Sequence, residues 1–225
     1  GEEGIAGNQA SEWQWIVDPI DGTVNYFYGI PHFCISIALR RAGEIELGVI
    51  YDPSRDELWE VERGGVPTLN GKPIRVSPRN QLSDAVLAIG FAKSKTTISA
   101  GLPVLDYFVK RARKCRMMGS AALDLAYVAC GRLDAYIESS VSLWDVAAGK
   151  LLVEAAGGKN VWLVGGGELV GQVADQGLLD EVLVGIAPVT LGAGGPLLPR
   201  RLTASQLELV AVERPGQFAR VWDRV

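Results

Sequence analysis

The chain has 225 residues, 48 % of them apolar and 21 % charged, which suffices for one large domain or two small ones with a buried core. A net charge of −4 and a pI near 5.2 provide no basic field to recruit nucleic acid or an anionic membrane. The three cysteines, Cys34, Cys115 and Cys130, are odd in number and lack C-x-x-C spacing, which argues against a disulfide framework or a zinc site and for a reducing compartment.

In chain order, QWIVD reads as a short buried strand ending at Asp18. Phe33, Ile35, Ile37 and Leu39 alternate with small residues, and Ile45, Leu47 and Val49 alternate on the return, so Ala42-Gly43-Glu44 is predicted to close a hairpin. ELWEVERGG and PIRVS add short strands around the turn LNGK, giving an antiparallel first half with little helix. The later part of TTISAGLPVLDYFVKRARKC is predicted to be helical. GSAALDLAYVACG is a second helix, with Ser120 as N-cap and Gly131 as terminator. RLDAYIE reads as a strand, and LWDVAAGKLLVEAAGG as a helix closed by Gly157-Gly158. Beyond Gly158 the pattern is strand, triple glycine, helix, strand, a Gly/Pro-rich loop and a closing pair of strands in LELVAVERPGQFARVWDRV. No stretch reads as a secretory leader and no apolar run is long enough to cross a bilayer, so a cytoplasmic location is expected.

Four carboxylates stand where chain geometry can gather them: Glu2 near the beginning, Asp18 at a strand end, Asp21 in the turn that leaves it, and Asp145 in the first turn of a helix. Taken alone, D-x-x-D-G reads as a tight turn, because Gly22 supplies a positive φ. Together, the four carboxylates repel unless hard cations compensate them, and Mg²⁺ or Mn²⁺ suits oxygen ligands better than zinc.

The motifs DPIDGTVNY and WDVAAGKLLVEAAGG, with GEE ahead of both, resemble the inositol monophosphatase family of Mg²⁺-dependent, lithium-sensitive sugar phosphatases. FYGIPHFCISIAL, GVIYDP, LNGKPIRVS and GSAALDLAYVACGRLDAYIE are similar to family members too, so the resemblance covers residues 1–158. It implies a phosphomonoesterase acting on a small polyol or sugar phosphate, with two or three Mg²⁺ ions per site. Glu2, Asp18 and the Ile20 carbonyl would hold one metal, whose water is the nucleophile. Asp18, Asp21 and Asp145 would hold a second beside the leaving oxygen, with a third near Glu2. Thr23 would orient the nucleophilic water with Glu2, and Gly22, Thr23 and the following amides would cradle the phosphate. Gly119, Ser120 and Ala121 match the segment lining the sugar pocket, and Glu138 the hydroxyl-binding glutamate. For Glu138 the plain alternative is a solvated carboxylate at a strand end, and for Ser120 a helix cap. His32 is expected to be a hydrogen-bonded structural residue, and Trp144 to belong to the core.

Family members carry two long helices ahead of GEE, so the chain is expected to be truncated at its start and the first sheet to keep an apolar face uncovered. From 159 onward, VWLVGGGELVGQ, LLDEVLVGIAPVTLGAGGPLLP and the closing strands resemble the C-terminal part of riboflavin-pathway and dihydrofolate-reductase-like reductases. In that family Gly165, Gly166 and Gly167 would approach NADPH phosphates. The expected architecture is therefore a layered α/β (α+β) sandwich of sugar-phosphatase type over 1–158, with a large antiparallel sheet, followed by a partial α/β reductase-like segment over 159–225. The expected alternatives to the phosphatase are an NADPH-dependent reductase fragment and an inactive, oligomerising or metal-binding chimera. A homodimer is also implied, with no nucleic-acid or membrane partner.

Overall fold

A computed structural model describes residues 1–8, 11–91, 95–138, 141–158, 181–186, 208–213 and 219–224. The chain forms two compact units, Gly1–Val164 and Gly165–Val225.

The first unit begins with strand β1 (Trp13–Asp21), which runs into a five-residue helix, α1 (Thr23–Phe27). The strand is longer than its apolar run suggests. Asp18 pairs opposite Ser36 and Asp21 opposite Cys34, with an irregularity between them. Asp21 is thus the last residue of the strand rather than part of a turn, and Pro19, which has no N–H to give a ladder, falls within the irregular stretch. The expected turn at Asp21-Gly22 is instead the entry to α1.

Strands β2 (Cys34–Arg41), β3 (Glu44–Asp52), β4 (Glu57–Glu62), β5 (Thr68–Leu69) and β6 (Lys72–Pro73) follow as an antiparallel meander, so the six-stranded sheet has the order β1-β2-β3-β4-β5-β6. Its tight turns are those the sequence announces. Ala42 and Gly43 have φ of 48° and 93°, and Asn70 and Gly71 have 48° and 72°, so both pairs fit the twist of two-residue hairpins. Between β3 and β4 the buried Asp52 carboxylate accepts the amides of Ser54 and Arg55 at 2.8 and 3.2 Å, and the Arg55 guanidinium at 2.8 Å. PIRVS keeps only Pro73 in a strand.

The remainder of the first unit is a strand–helix–strand alternation. Strand β7 (Val86–Ile89) is followed by α2 (Lys95–Val109), β8 (Lys114–Arg116), α3 (Ala121–Ala129) and β9 (Ala135–Ile137). The three strands form a parallel sheet in the order β8-β7-β9. Helix α4 (Leu143–Ala155) packs against α3 and against the inner face of the large sheet. That interface is the core: Ile16, Ala38, Ile50 and Trp59 from the sheet meet Leu123, Ala126, Ala148 and Leu152 from the helices, all under 10 % exposed.

Small residues set the closeness of this packing. A Cβ at Gly48 would sit 2.9 Å from the Ala148 carbonyl oxygen, and one at Gly149 would sit 2.6 Å from the Leu125 side chain. The outer face of the sheet carries Trp15 and Ile35 exposed. In the second unit β10 (Glu181–Ile186), β11 (Glu208–Glu213) and β12 (Ala219–Arg224) form an antiparallel sheet in the order β10-β12-β11. The triple glycine at Gly165, Gly166 and Gly167 lies outside the described residues. No described helix is long and apolar enough to cross a membrane.

Candidate functional site

The long sheet, α1, α3 and α4 converge on a cluster of carboxylates. Each of Asp18, Asp21 and Asp145 offers one oxygen, and these three oxygens lie within 4.8 Å of one another. Asp18 is 2 % and Asp21 8 % exposed. None of the ion pairs formed by the described residues involves the three.

Each carboxylate is aimed by its own element. The Asp18 Oδ1 accepts the Ile20 amide at 3.0 Å, a bond made across the irregularity at the end of β1. Asp21 reaches the start of α3, where its Oδ2 accepts the Ser120 hydroxyl at 2.5 Å and the Ala122 amide at 2.7 Å. The Cys34 thiol faces the same oxygen at 3.8 Å. Asp145 stands in the first turn of α4 and its Oδ2 accepts the Ser142 amide at 2.7 Å, so the carboxylate both completes the helix start and faces the cluster.

Crowding shows in the acidities. Burial first, then the charges of Asp21 and Glu2, push the Asp18 carboxyl up to about 7. Burial raises Asp145 to about 6, with Asp21 and Glu2 adding to it. Burial raises Asp21 also, against the bonds from Ser120, Ala122 and Ala121 that favour its charged form. Three acidic oxygens close together, without a cationic partner among the described residues, are a donor set that suits a hard divalent cation.

The remaining predicted residues surround this cluster. The Glu2 amide donates to the Val17 carbonyl at 3.3 Å, which sets the residue beside the end of β1; its side chain is exposed and is not one of the three clustered carboxylates. Thr23 opens α1, and its hydroxyl donates to the Ile20 carbonyl at 3.0 Å. Gly22 has φ 89° and ψ 38°, and a Cβ there would come within 3.0 Å of the His32 carbonyl oxygen and 3.2 Å of the Gly119 carbonyl oxygen. Only glycine permits both that backbone conformation and that approach.

The parallel sheet delivers the other side of the site at the C-terminal ends of its strands. Gly119, Ser120 and Ala121 follow β8, and Glu138 follows β9. Ser120 is 2 % exposed and caps α3, accepting the Leu123 amide at 3.4 Å. The Tyr136 hydroxyl donates to Glu138, and a Cβ at Gly90, which follows β7, would collide with the Glu138 carboxylate. Glu138 is not a solvated strand-end carboxylate: burial, together with the charges of Asp145, Asp21 and Asp124, raises it to about 7.

Several residues of the site lie in the quoted motifs without a site role having been assigned to them. Asn25, buried in α1, donates its amide nitrogen to the carbonyls of His32 at 2.7 Å and Met118 at 2.8 Å, tying the strand end to the β8 loop. His32 is buried, yet neither ring nitrogen makes a hydrogen bond; its Nε2 lies 3.8 Å from the equally buried Asp124. The polar group nearest to the His32 ring is thus the Asp124 carboxylate, at a distance longer than an ordinary hydrogen bond. Asn25 lies within DPIDGTVNY and Asp124 within GSAALDLAYVACG, but their roles emerge only where the fold brings Asn25 to Met118 and Asp124 to His32. Trp144 is half-buried rather than core.

The model of the inositol monophosphatase family matches residues 1–207. Nus factor SuhB of Xylella fastidiosa is 49 % identical over 160 residues, covering 70 % of this chain and 58 % of that protein. Inositol-1-monophosphatase of Rhizobium meliloti is 46 % identical over 171 residues, covering 75 % of this chain and 64 % of that protein. The chain thus spans about six-tenths of the length of these relatives. Among solved structures, inositol monophosphatase from Anabaena superposes with a TM-score of 0.67 at 45 % identity, over 70 % of this chain and 63 % of that one. The family match runs past the expected junction at 158 into the segment read as reductase-like, so the reductase resemblance and its NADPH site gain no support. A match over residues 1–207, a shared fold and close relatives lead to one conclusion: the chain belongs to the inositol monophosphatase family.

Proposed function

We propose that the chain carries the site of a Mg²⁺-dependent phosphomonoesterase whose substrate is a small polyol or sugar phosphate of the inositol monophosphate type. The observation that supports this reading most is the trio of buried Asp18, buried Asp21 and half-buried Asp145, whose oxygens converge within 4.8 Å without a cationic partner among the described ion pairs. In this reading residues 1–158 are the catalytic part. Asp18, Asp21 and Asp145 hold one Mg²⁺, while Glu2, Asp18 and the Ile20 carbonyl hold another. The Ile20 carbonyl has a second lone pair to give, since Thr23 takes only one. Bound cations would lower the pKa of an attacking water and offset charge on the departing oxygen.

The chain's own groups do the rest. Because the Thr23 hydroxyl gives its proton to Ile20, its oxygen faces a neighbouring water as an acceptor and so orients that water's lone pair, with Glu2, toward phosphorus. Gly22, Thr23 and the first amides of α1 present N–H groups to phosphate oxygens. Glu138, Gly119 and Ala121 face the polyol, where an ionised Glu138 accepts hydroxyl protons. Phosphate release from inositol 1-phosphate, with and without Mg²⁺, tests the proposal beside a panel of other sugar and nucleotide phosphates. Mg²⁺-dependent release from any of them supports it; no release across the panel from a folded, Mg²⁺-binding chain refutes it.

The name of the Xylella relative, a Nus factor, supports a second reading in which the same fold works by binding a partner rather than by turnover. The refuting outcome above is the one that favours it.

A further inference from the structure

The Ser120 hydroxyl is committed before any substrate arrives. It is 2 % exposed, and it accepts the Leu123 amide at 3.4 Å while donating to the Asp21 Oδ2 at 2.5 Å. Accepting on one side strengthens its donation on the other. The same Oδ2 takes the Ala122 amide at 2.7 Å and faces the Cys34 thiol at 3.8 Å. A carboxylate oxygen has two lone pairs, so two close donors and a thiol leave Oδ2 nothing to share with a cation. Oδ1 takes none of these bonds.

We propose that Ser120 is a positioning residue for Asp21 rather than a substrate contact: with the Ala122 amide it occupies Oδ2 and turns Asp21 into a one-oxygen cation ligand. Sequence placed Ser120 in the lining of the sugar pocket, and its buried, doubly bonded hydroxyl points to this other role. The nine-residue helix α3, whose cap it is, then serves as the fixed arm against which Asp21 is held. The inference rests on the metal-site reading of the cluster.

The test is Mn²⁺ affinity, read by electron paramagnetic resonance of free Mn²⁺, in the wild type and in Ser120→Gly and Ser120→Thr. Glycine caps helices nearly as well as serine but has no hydroxyl, so it removes the donor while sparing the helix start. Ser120→Gly should weaken Mn²⁺ binding by roughly 10- to 100-fold, as loss of an orienting partner does, with far-ultraviolet circular dichroism unchanged. Ser120→Thr should restore most of the affinity. Wild-type affinity in a folded Ser120→Gly would overturn the positioning role. No Mn²⁺ binding by the wild type would overturn the metal-site reading and the inference with it. Should Ser120→Gly not fold, the isosteric pair Ser120→Thr and Ser120→Val carries the comparison; loss of folding in both hydroxyl-free variants would also overturn the proposal, by making the hydroxyl a requirement of the fold.

Discussion

Asp18 has one amide donor, from Ile20, and three acidic neighbours whose charges oppose its own. Its carboxyl, held near 7 in the folded chain against 3.8 ordinarily, keeps a proton that an unfolded chain would release. Asp145, near 6, and Glu138, near 7, behave alike. The sign follows: between about pH 4 and pH 7 the folded state binds more protons than the unfolded one, so the stability of the metal-free protein falls as pH rises through that window. Urea unfolding with chelator present, at pH 5 and pH 7.5, should give the higher midpoint at pH 5. A bound cation reverses the trend, because it must displace those protons. Divalent-ion affinity is therefore expected to rise steeply between pH 5.5 and 7.5, with proton release by the protein into the buffer as the readout. At the same scale, Asn25→Ala removes one buried and one part-buried hydrogen bond, those to the His32 and Met118 carbonyls. A loss of about 2–4 kcal/mol in unfolding free energy is expected, together with weaker activity, because the bonds join the two sides of the site.

Among the elements, β3 and α4 meet backbone to backbone with little slack. Gly48 faces the Ala148 backbone so closely that a methyl group would meet its carbonyl oxygen at 2.9 Å and its Cα at 3.1 Å. Gly48→Ala should cost roughly 1–3 kcal/mol through overpacking. Since α4 carries Asp145, it should also lower cation affinity, which distinguishes it from an equally destabilising change remote from the site. Much of this architecture is legible in the sequence because local chemistry and tertiary need agree there. The hairpin turns at Ala42-Gly43 and Asn70-Gly71, the Ser120 cap and the glycine at 131 obey local rules, and the structure keeps all of them. The parallel strands β7 and β8 escape notice because four and three residues carry too little periodicity. Helix α1 escapes for the same reason, being five residues long and entered through a left-handed glycine rather than a polar cap. At the site, the three clustered aspartates are named by their motifs. Asn25, Asp124 and Tyr136 stand inside quoted motifs without being singled out, and Gly90 lies outside them, because what each does depends on how the fold places its partner.

For the whole molecule, every residue of the candidate site falls in the unit Gly1–Val164. Removing 165–225 is therefore expected to leave cation affinity intact, measured on the shortened chain by the same titration. A ligand that binds only the folded state must stabilise it, by about 2.7 kcal/mol at a hundred times its dissociation constant. Saturating Mg²⁺ at pH 7.5 should accordingly raise the unfolding temperature, and chelator should return it. Hydrolysis depends on the choice of substrate, whereas occupation of the carboxylate cluster does not. The most direct measurement is thus a calorimetric titration of Mg²⁺ at pH 7.5 into the wild type and Asp18→Asn. Saturable binding in the wild type, weakened more than about 100-fold in Asp18→Asn, is the expected result. Equal binding by both, or none by a folded wild type, would contradict a metal centre at Asp18, Asp21 and Asp145.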